Sequence, residues 1–257
     1  MSQINQLFQD MNRFFVDKDK INDDLVQFSD ELAHQITNVL RLQTGDRVEV
    51  LDNSGLIYKV QLAINSKSRS VQGKIQTSTI ESTEAKTELA LCFGLSTREK
   101  IEWILQKATE IGIAQFYPFV SSRTLVQSTV LSDHKRLRWE RIVREAAEQS
   151  HRARLPELNP PMDFEECVSS IGRDYDLSLL AWENASPIDD GLRQWIDSGK
   201  FQSIGLIVGP EGGFSEMEVR FASTQGCKAV SMGTRTLRME TAAIVLPAII
   251  FYQLGDI

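Results

Sequence analysis

The sequence contains no Gly-x-Gly anywhere and no lysine in its glycine-rich stretch at residues 209–213. The first absence excludes the dinucleotide-binding fingerprint, and the second excludes a P-loop, which needs a lysine after its second glycine. Long apolar runs are missing too. The longest, residues 242–252, is interrupted by Pro247 and falls far short of the roughly 20 residues that cross a bilayer. No basic segment leading into an apolar stretch opens the chain, so a cytoplasmic location is expected. Cysteine is scarce: Cys92, Cys167 and Cys227 are odd in number and lack metal-ligand spacing, so they read as three buried thiols. His34, His134 and His151 have no partner at nucleophile or metal spacing and read as structural or surface residues, with no metal expected. There is no internal repeat and no low-complexity tract.

An excess of positive charge is absent as well. A net charge of −7 over 257 residues argues against indiscriminate binding to a polyanion. The average conceals a contrast. Residues 155–234 carry 13 acids and 5 bases, whereas residues 135–154 carry 7 bases and 3 acids. A local basic stripe on an acidic chain suits a selective phosphate contact, although a solvated helix face looks the same from charge alone.

Two patterns divide the chain. In residues 1–75, Arg47-Val-Glu-Val-Leu51 and Leu56-Ile-Tyr-Lys-Val-Gln-Leu62 alternate about the turn cluster Asp52-Asn-Ser-Gly55, which predicts a hairpin. Leu32, Ile36, Val39 and Leu40 recur at helical spacing over residues 30–42. Residues 76–87 are polar and featureless and read as a linker. From residue 88 to 257, strands and helices alternate, which predicts an α/β domain with a parallel sheet covered on both faces. Its helices include one from a Ser96-x-x-Glu99 capping box to Gly112, one over 133–151, one from the Ser215-x-x-Glu218 box, and a last one over about 240–254. Asp176, Asp189 and Asp190 read as solvated surface.

Chemistry concentrates in two stretches. Leu206-Ile-Val-Gly-Pro-Glu-Gly-Gly-Phe-Ser215 is a buried-strand run that breaks into a glycine turn, and Ser231-Met-Gly-Thr-Arg-Thr-Leu-Arg-Met-Glu-Thr241 repeats that arrangement. Glycine loops at the carboxyl ends of neighbouring strands are where an open α/β sheet binds its ligand. Glu211 would repel a pyrophosphate and suits a ligand that is cationic or rich in donors, which favours S-adenosylmethionine over a nucleoside triphosphate.

Several motifs in order carry a resemblance: Lys107-Ala-Thr-Glu-Ile-Gly112, Arg144-Glu-Ala-Ala-Glu-Gln-Ser150, Ile207-Val-Gly-Pro-Glu-Gly-Gly-Phe-Ser215 and Gly233-x-Arg-x-Leu-Arg-x-Glu-Thr-Ala242. Nearly the whole chain resembles the bacterial 16S ribosomal RNA (uracil-N3) methyltransferase family, within the trefoil-knotted SPOUT methyltransferases. Arg13-Phe-Phe and His34-x-x-x-Val-Leu-Arg-Leu-x-x-Gly-Asp46 resemble that family's PUA-like β-barrel. One departure is Thr234-Arg-Thr, where the family pattern has a bulkier apolar residue before Leu237.

The resemblance implies a small N-terminal PUA-like RNA-binding domain and a C-terminal knotted domain that works as a homodimer. S-adenosylmethionine would be held by Leu180, Val208, Gly209, Glu211, Gly212, Gly213, Met232, Gly233, Leu237 and Thr241, and the target would be one uridine in the decoding region of 16S rRNA in the small ribosomal subunit. Uracil N3 is a weak nucleophile until its proton leaves, so a fixed guanidinium beside O2 or O4 would help, and Arg238 is the expected group. Glu240 would take the proton or orient Arg238; an ion pair or helix cap is the plainer reading of both. Arg13, Arg41, Arg123, Arg144 and Arg152, with Arg141 and Arg154, are the expected RNA contacts, although salt bridges within the helix compete for Arg141 and Arg144. Two alternatives stay open: methylation of a ribose 2′-hydroxyl or another base, for example in tRNA, and a non-catalytic RNA-binding protein that kept the fold.

Overall fold

The computed structural model describes residues 11–65, 68, 70–80, 83–185, 191–197 and 199–257. Asp189 and Asp190 lie outside the described residues. The chain divides into two compact units, Met1–Glu84 with Ala147–Leu155, and Ala85–Ala146 with Pro156–Ile257.

The first unit is built on β1 (Arg13–Phe15), β2 (Ile21–Asn22), β3 (Leu25–Gln27), the short helix α1 (Asp30–His34), β4 (Arg47–Leu51), β5 (Leu56–Asn65) and β6 (Ser70–Ile80). Among the described residues its sheet runs β1-β4-β5-β6-β3-β2. The expected hairpin is β4 with β5. Its turn places Asn53 and Gly55 at positive φ and is held by Ser54 N–H donating to Asp52 Oδ1 at 3.0 Å. A bulge at Lys59/Val60 shifts the alternation, so Ile57, Val60 and Leu62 all reach the core. Gly73 is required there, because a Cβ would lie 2.1 Å from Val60 Cγ1.

Two expectations change. The helix expected over 30–42 is only α1, capped by Ser29, followed by a π-helical stretch at Gln35–Val39. Strand β6 continues to Ile80, so residues 76–80 are sheet rather than linker. Their threonines and isoleucine suit a strand, and the polarity that suggested a linker reflects exposure on both faces. The unit also takes in residues 147–155, where Ala147 and Ala153 pack against Phe15, Leu51 and Ile57.

The second unit alternates β7 (Glu88–Gly94), α2 (Arg98–Ile111), β8 (Gln115–Val120), α3 (Asp133–Gln149), β9 (Glu157–Leu158), β10 (Met162–Asp163), α4 (Phe164–Asp174), β11 (Leu177–Ala181), α5 (Leu192–Asp197), β12 (Ser203–Val208), α6 (Glu216–Thr224), β13 (Lys228–Val230) and α7 (Met239–Leu254). The strands pair in parallel in the order β10-β8-β7-β12-β11-β13, with β9 also on β8. Strand periodicity splits the core between two faces. Leu89, Leu91, Phe93, Ile204, Leu206 and Val208 meet α2 and α7 on one side, while Ala90, Cys92, Leu180 and Ile207 meet α4 and α6 on the other. Each such fully buried aliphatic contributes about 1.5–3 kcal/mol. The three cysteines, far apart in sequence, share the second face, where burial pushes the Cys92 thiol well up and Cys227 to about 11. Asp176 is exposed, as expected, and is also engaged. Its carboxylate accepts the backbone N–H groups of Gln202 (2.8 Å) and Ser203 (3.0 Å), and those bonds hold its pKa below the ordinary value.

Candidate functional site

Strands β11, β12 and β13 end side by side, and the loops after them enclose a cavity of about 440 Å³. That volume lies in the range of small-molecule sites. The loop after β12 is closed by Gly213 N–H donating to Pro210 O at 2.9 Å, with Gly213 at φ +66°. The next helix starts on the expected box, in which Ser215 and Glu218 cap each other. Glu218 also accepts Ser122 N–H and Oγ–H, both at 2.9 Å, and so ties the 121–124 turn to the same place. Beneath the loop, Phe214 stacks with Phe119 and Phe164.

Of the expected donor-binding residues, Val208, Gly209, Glu211, Gly212, Gly213, Met232, Gly233 and Leu237 line this cavity, and Arg238 lines it with them. Leu180 does not: alternation along β11 turns it toward α4 and α6, and its neighbour Ala181 takes the lining position. Thr241 lies half-buried in the first turn of α7, outside the lining. The resemblance implies donor loops after the strand of Trp182 and at 232–238, and these bring Trp182, Glu183, Arg235 and Thr236 to the lining as well; Lys100 and Met239 line it from outside the expected loops. Glu183 stands beside Gly213, where an added Cβ would lie 2.8 Å from its Oε1.

The expected capping box at Ser96 does not form. Helix α2 begins at Arg98 behind Thr97, and the Ser96 hydroxyl donates to the Glu211 carboxylate instead. Lys100, one turn further on, donates to the same carboxylate at 2.8 Å. Burial pushes the Glu211 pKa up, but the bonds from Lys100 and Ser96 outweigh it and leave the group below its ordinary value. Lys100 is shifted up in return, chiefly by that hydrogen bond. Glu211 is therefore already neutralised within the protein. Glu183 is exposed at the rim with no ion pair among the described residues, and it is the carboxylate left to face a cation.

Arg238 sits exposed at the N-cap of α7 and makes no side-chain cap there. Glu240 is buried at 7% exposure, and its Oε2 has no hydrogen-bond partner; the nearest base is Lys100, 3.8 Å away. Arg238 makes neither a cap nor an ion pair among the described residues, whereas Glu240 keeps the ion-pair half of the plainer reading, with Lys100 in place of Arg238.

Three of the expected RNA contacts are already engaged. Arg13 is buried, ion-pairs with Glu49 at 2.7 Å and donates to His151 O at 2.7 Å. Arg152 is 5% exposed and grips Glu84 through Nε (3.0 Å) and Nη2 (2.6 Å). Both partners lie far away in sequence, which is why charge counting misread them. Arg123 donates from Nη1 to Gly212 O (3.1 Å) and Phe214 O (3.2 Å), clamping the glycine loop. Arg41 is exposed at positive φ, Arg144 is half-buried on α3, Arg154 donates to Ser54 O at 2.8 Å, and Arg141 lies 3.6 Å from Glu145. Among the described residues no cluster of three His, Cys, Asp or Glu could hold a metal, and no helix is long and apolar enough to cross a membrane.

Comparison with known proteins fits this arrangement. A family model described as an RNA methyltransferase domain matches residues 83–251, and one described as an RNA methyltransferase PUA domain matches residues 28–72. The chain is 32% identical over 250 residues to ribosomal RNA small subunit methyltransferase E of Bacillus subtilis, covering 95% of this chain and 97% of the relative. It is 34% identical to the protein of the same name from Synechocystis, covering 91% and 75%. The crystal structure of a ribosomal RNA small subunit methyltransferase E from Neisseria gonorrhoeae bound to S-adenosyl methionine superposes with a TM-score of 0.80 at 27% identity, covering 94% and 97%. With both of its units matched and more than nine-tenths of its length aligned to each of these relatives, the chain belongs to the ribosomal RNA small subunit methyltransferase E family.

Proposed function

We propose that this protein transfers the methyl group of S-adenosylmethionine to N3 of one uridine in the decoding region of 16S rRNA. The observation that carries this reading is the cavity at the ends of β11, β12 and β13, with Arg238 on its wall. The lining fits the donor. Glycines 209, 212 and 213 let main chain approach closely, Val208, Met232 and Leu237 offer apolar surface, and Glu183 offers a counter-charge for a cation.

In the transfer, the N3 lone pair forms the bond to the methyl carbon while the carbon–sulfur bond breaks, its electrons neutralising the sulfonium. The N3 proton leaves to a base, for which Glu240 is the assigned acceptor. Arg238 stabilises the negative charge spread over O2 and O4. N3 lies on the pairing edge, so the base must be unpaired or flipped out before it reacts.

A C-terminal trefoil knot and a homodimer belong to the same reading. Helix α7 follows the edge strand β13 yet packs on β7, β12 and α2, as a chain threaded back through a loop would. Val245, Ile249 and Tyr252 form an exposed apolar stripe along it, at spacings of four and three residues. The unit that matches the PUA description would contact the RNA through Arg41 among others, Arg144 on α3 of the second unit would add a further contact, and with a ribosomal substrate the protein would work in the cytoplasm. The test is transfer of labelled methyl into unmethylated small subunits, naked rRNA and tRNA, followed by nucleoside analysis. Expected is 3-methyluridine from the ribosomal substrate; a 2′-O-methyl nucleoside or another methylated base would overturn the reading.

A further inference from the structure

A second cleft, of about 580 Å³, adjoins the donor cavity and is lined by Trp103, Gln106, Arg141 and Glu240 among others. Lys100 lines both spaces. Trp103 stands 50% exposed on a helix whose Ile101, Ile104 and Leu105 are buried. Glu240, at the other extreme, is more than nine-tenths buried and has an oxygen with no hydrogen-bond partner. An unsatisfied buried carboxylate oxygen is costly, and a ligand N–H would relieve that cost. An exposed indole beside it is a platform on which any planar base can stack.

We propose that this cleft seats the flipped-out target base, with Trp103 stacked on its face and Glu240 accepting its imide N–H. The assignment rests on the uridine reading above and extends it to selectivity. Uracil presents a proton at N3 for the carboxylate, whereas neutral cytosine presents a lone pair there and is repelled. During transfer that proton passes to Glu240, which becomes the neutral acid as N3 bonds to the methyl carbon. Lys100, 3.8 Å from Glu240 and paired with Glu211, keeps a positive charge at the junction where the base turns anionic. Arg141 is held only by an exposed contact to Glu145, which is easily exchanged for a phosphate.

The test uses the full-length protein with unmethylated small ribosomal subunits, comparing wild type with Trp103→Ala, Trp103→Phe and Glu240→Gln. Each is measured for KM and kcat, for S-adenosylmethionine affinity by calorimetry, and for mass by light scattering. Trp103→Ala should raise the KM for subunits about tenfold or more, with donor affinity and assembly state unchanged, and Trp103→Phe should recover most of the loss. Glu240→Gln should lower kcat by about a hundredfold or more with little change in KM. An unchanged KM in Trp103→Ala would overturn the stacking assignment. Loss of assembly on the same substitution would make the cleft a contact between copies and overturn it too. Wild-type transfer to a position other than uracil N3 would instead remove the underlying reading and the Glu240 role, while the Trp103 comparison would still decide the platform.

Discussion

Replacing Arg123 with methionine separates two roles that the sequence leaves superimposed, RNA contact and loop clamp. The guanidinium makes two hydrogen bonds to carbonyls that flank Gly213, at 3.1 and 3.2 Å. Hydrogen bonds from charged donors are worth about 1.5–3 kcal/mol when shielded. Arg123 is exposed, so about 1 kcal/mol each is the appropriate figure, or about 2 kcal/mol for the pair. Suppose the loop with its clamp is evenly balanced between the binding conformation and others. Removing about 2 kcal/mol then lowers the competent fraction from about one-half to about one-thirtieth, and the apparent donor Kd rises by about 15-fold, since about 1.4 kcal/mol is a factor of ten. Arg123→Lys, with a single point charge for one carbonyl, should fall between. Calorimetry with S-adenosylmethionine measures the effect directly. A change below about twofold, with a salt dependence of RNA binding reduced by about one phosphate contact, would refute the clamp and restore Arg123 as an RNA contact.

Arg238→Ala should lower kcat by about a hundredfold or more while leaving donor affinity nearly unchanged, because its charge matters as the base becomes anionic; unaltered turnover removes it from the mechanism. Arg152→Met should cost about 1.5–3 kcal/mol in urea unfolding, since Glu84 Oε2 loses both guanidinium bonds while Oε1 keeps the N–H groups of Ala153 and Arg154, and should leave the salt slope of RNA binding as it was. The hydrogen bond from Arg138 holds the Glu102 pKa at about 2, below its ordinary 4.5. A depressed carboxylate stabilises the fold above its unfolded pKa, so the stability difference between wild type and Arg138→Met should be constant above about pH 5.5 and shrink as pH falls from 4.5 toward 2. Glu183→Gln should weaken S-adenosylmethionine more than its uncharged product S-adenosylhomocysteine, and equal weakening of both in calorimetry would assign Glu183 to the ribose or the amino acid end instead.

The features legible in the sequence are those that a local pattern encodes. Period-two runs marked β4 and β5, a continuous apolar run marked β12, and the Ser215–Glu218 pair marked the start of α6, because each depends on neighbours within a few residues. The glycine loops were legible for the same reason. Features that depend on distant pairing were not. Arg13 and Arg152 look like free surface charge until Glu49 and Glu84 are brought beside them. Ser96 with Glu99 reads as a capping box at a helix start, yet the side chains of Ser96 and Lys100 both reach Glu211, more than a hundred residues on. Glu183 follows an apolar strand in a stretch with no motif, and only the packing at Gly213 shows it on the cavity wall.

The arrangement of charge around the two spaces bears on how one site handles reactants of opposite character. The donor arrives as a cation and leaves neutral, while the base must pass through an anionic form. A loop carboxylate facing both would assist the first and oppose the second. Here Glu211, the acid of the glycine loop, is held by Lys100 and Ser96, so its field toward the junction is largely cancelled. Glu183, with no ion pair among the described residues, follows β11, and the basic groups Arg238 and Lys100 belong to the start of α7 and to α2. On the proposed reading, negative charge would reach the sulfonium from one set of elements and positive charge the base from another. A lysine at Glu211 could not replace this arrangement, because it would remove the partner that keeps Lys100 fixed between the two spaces.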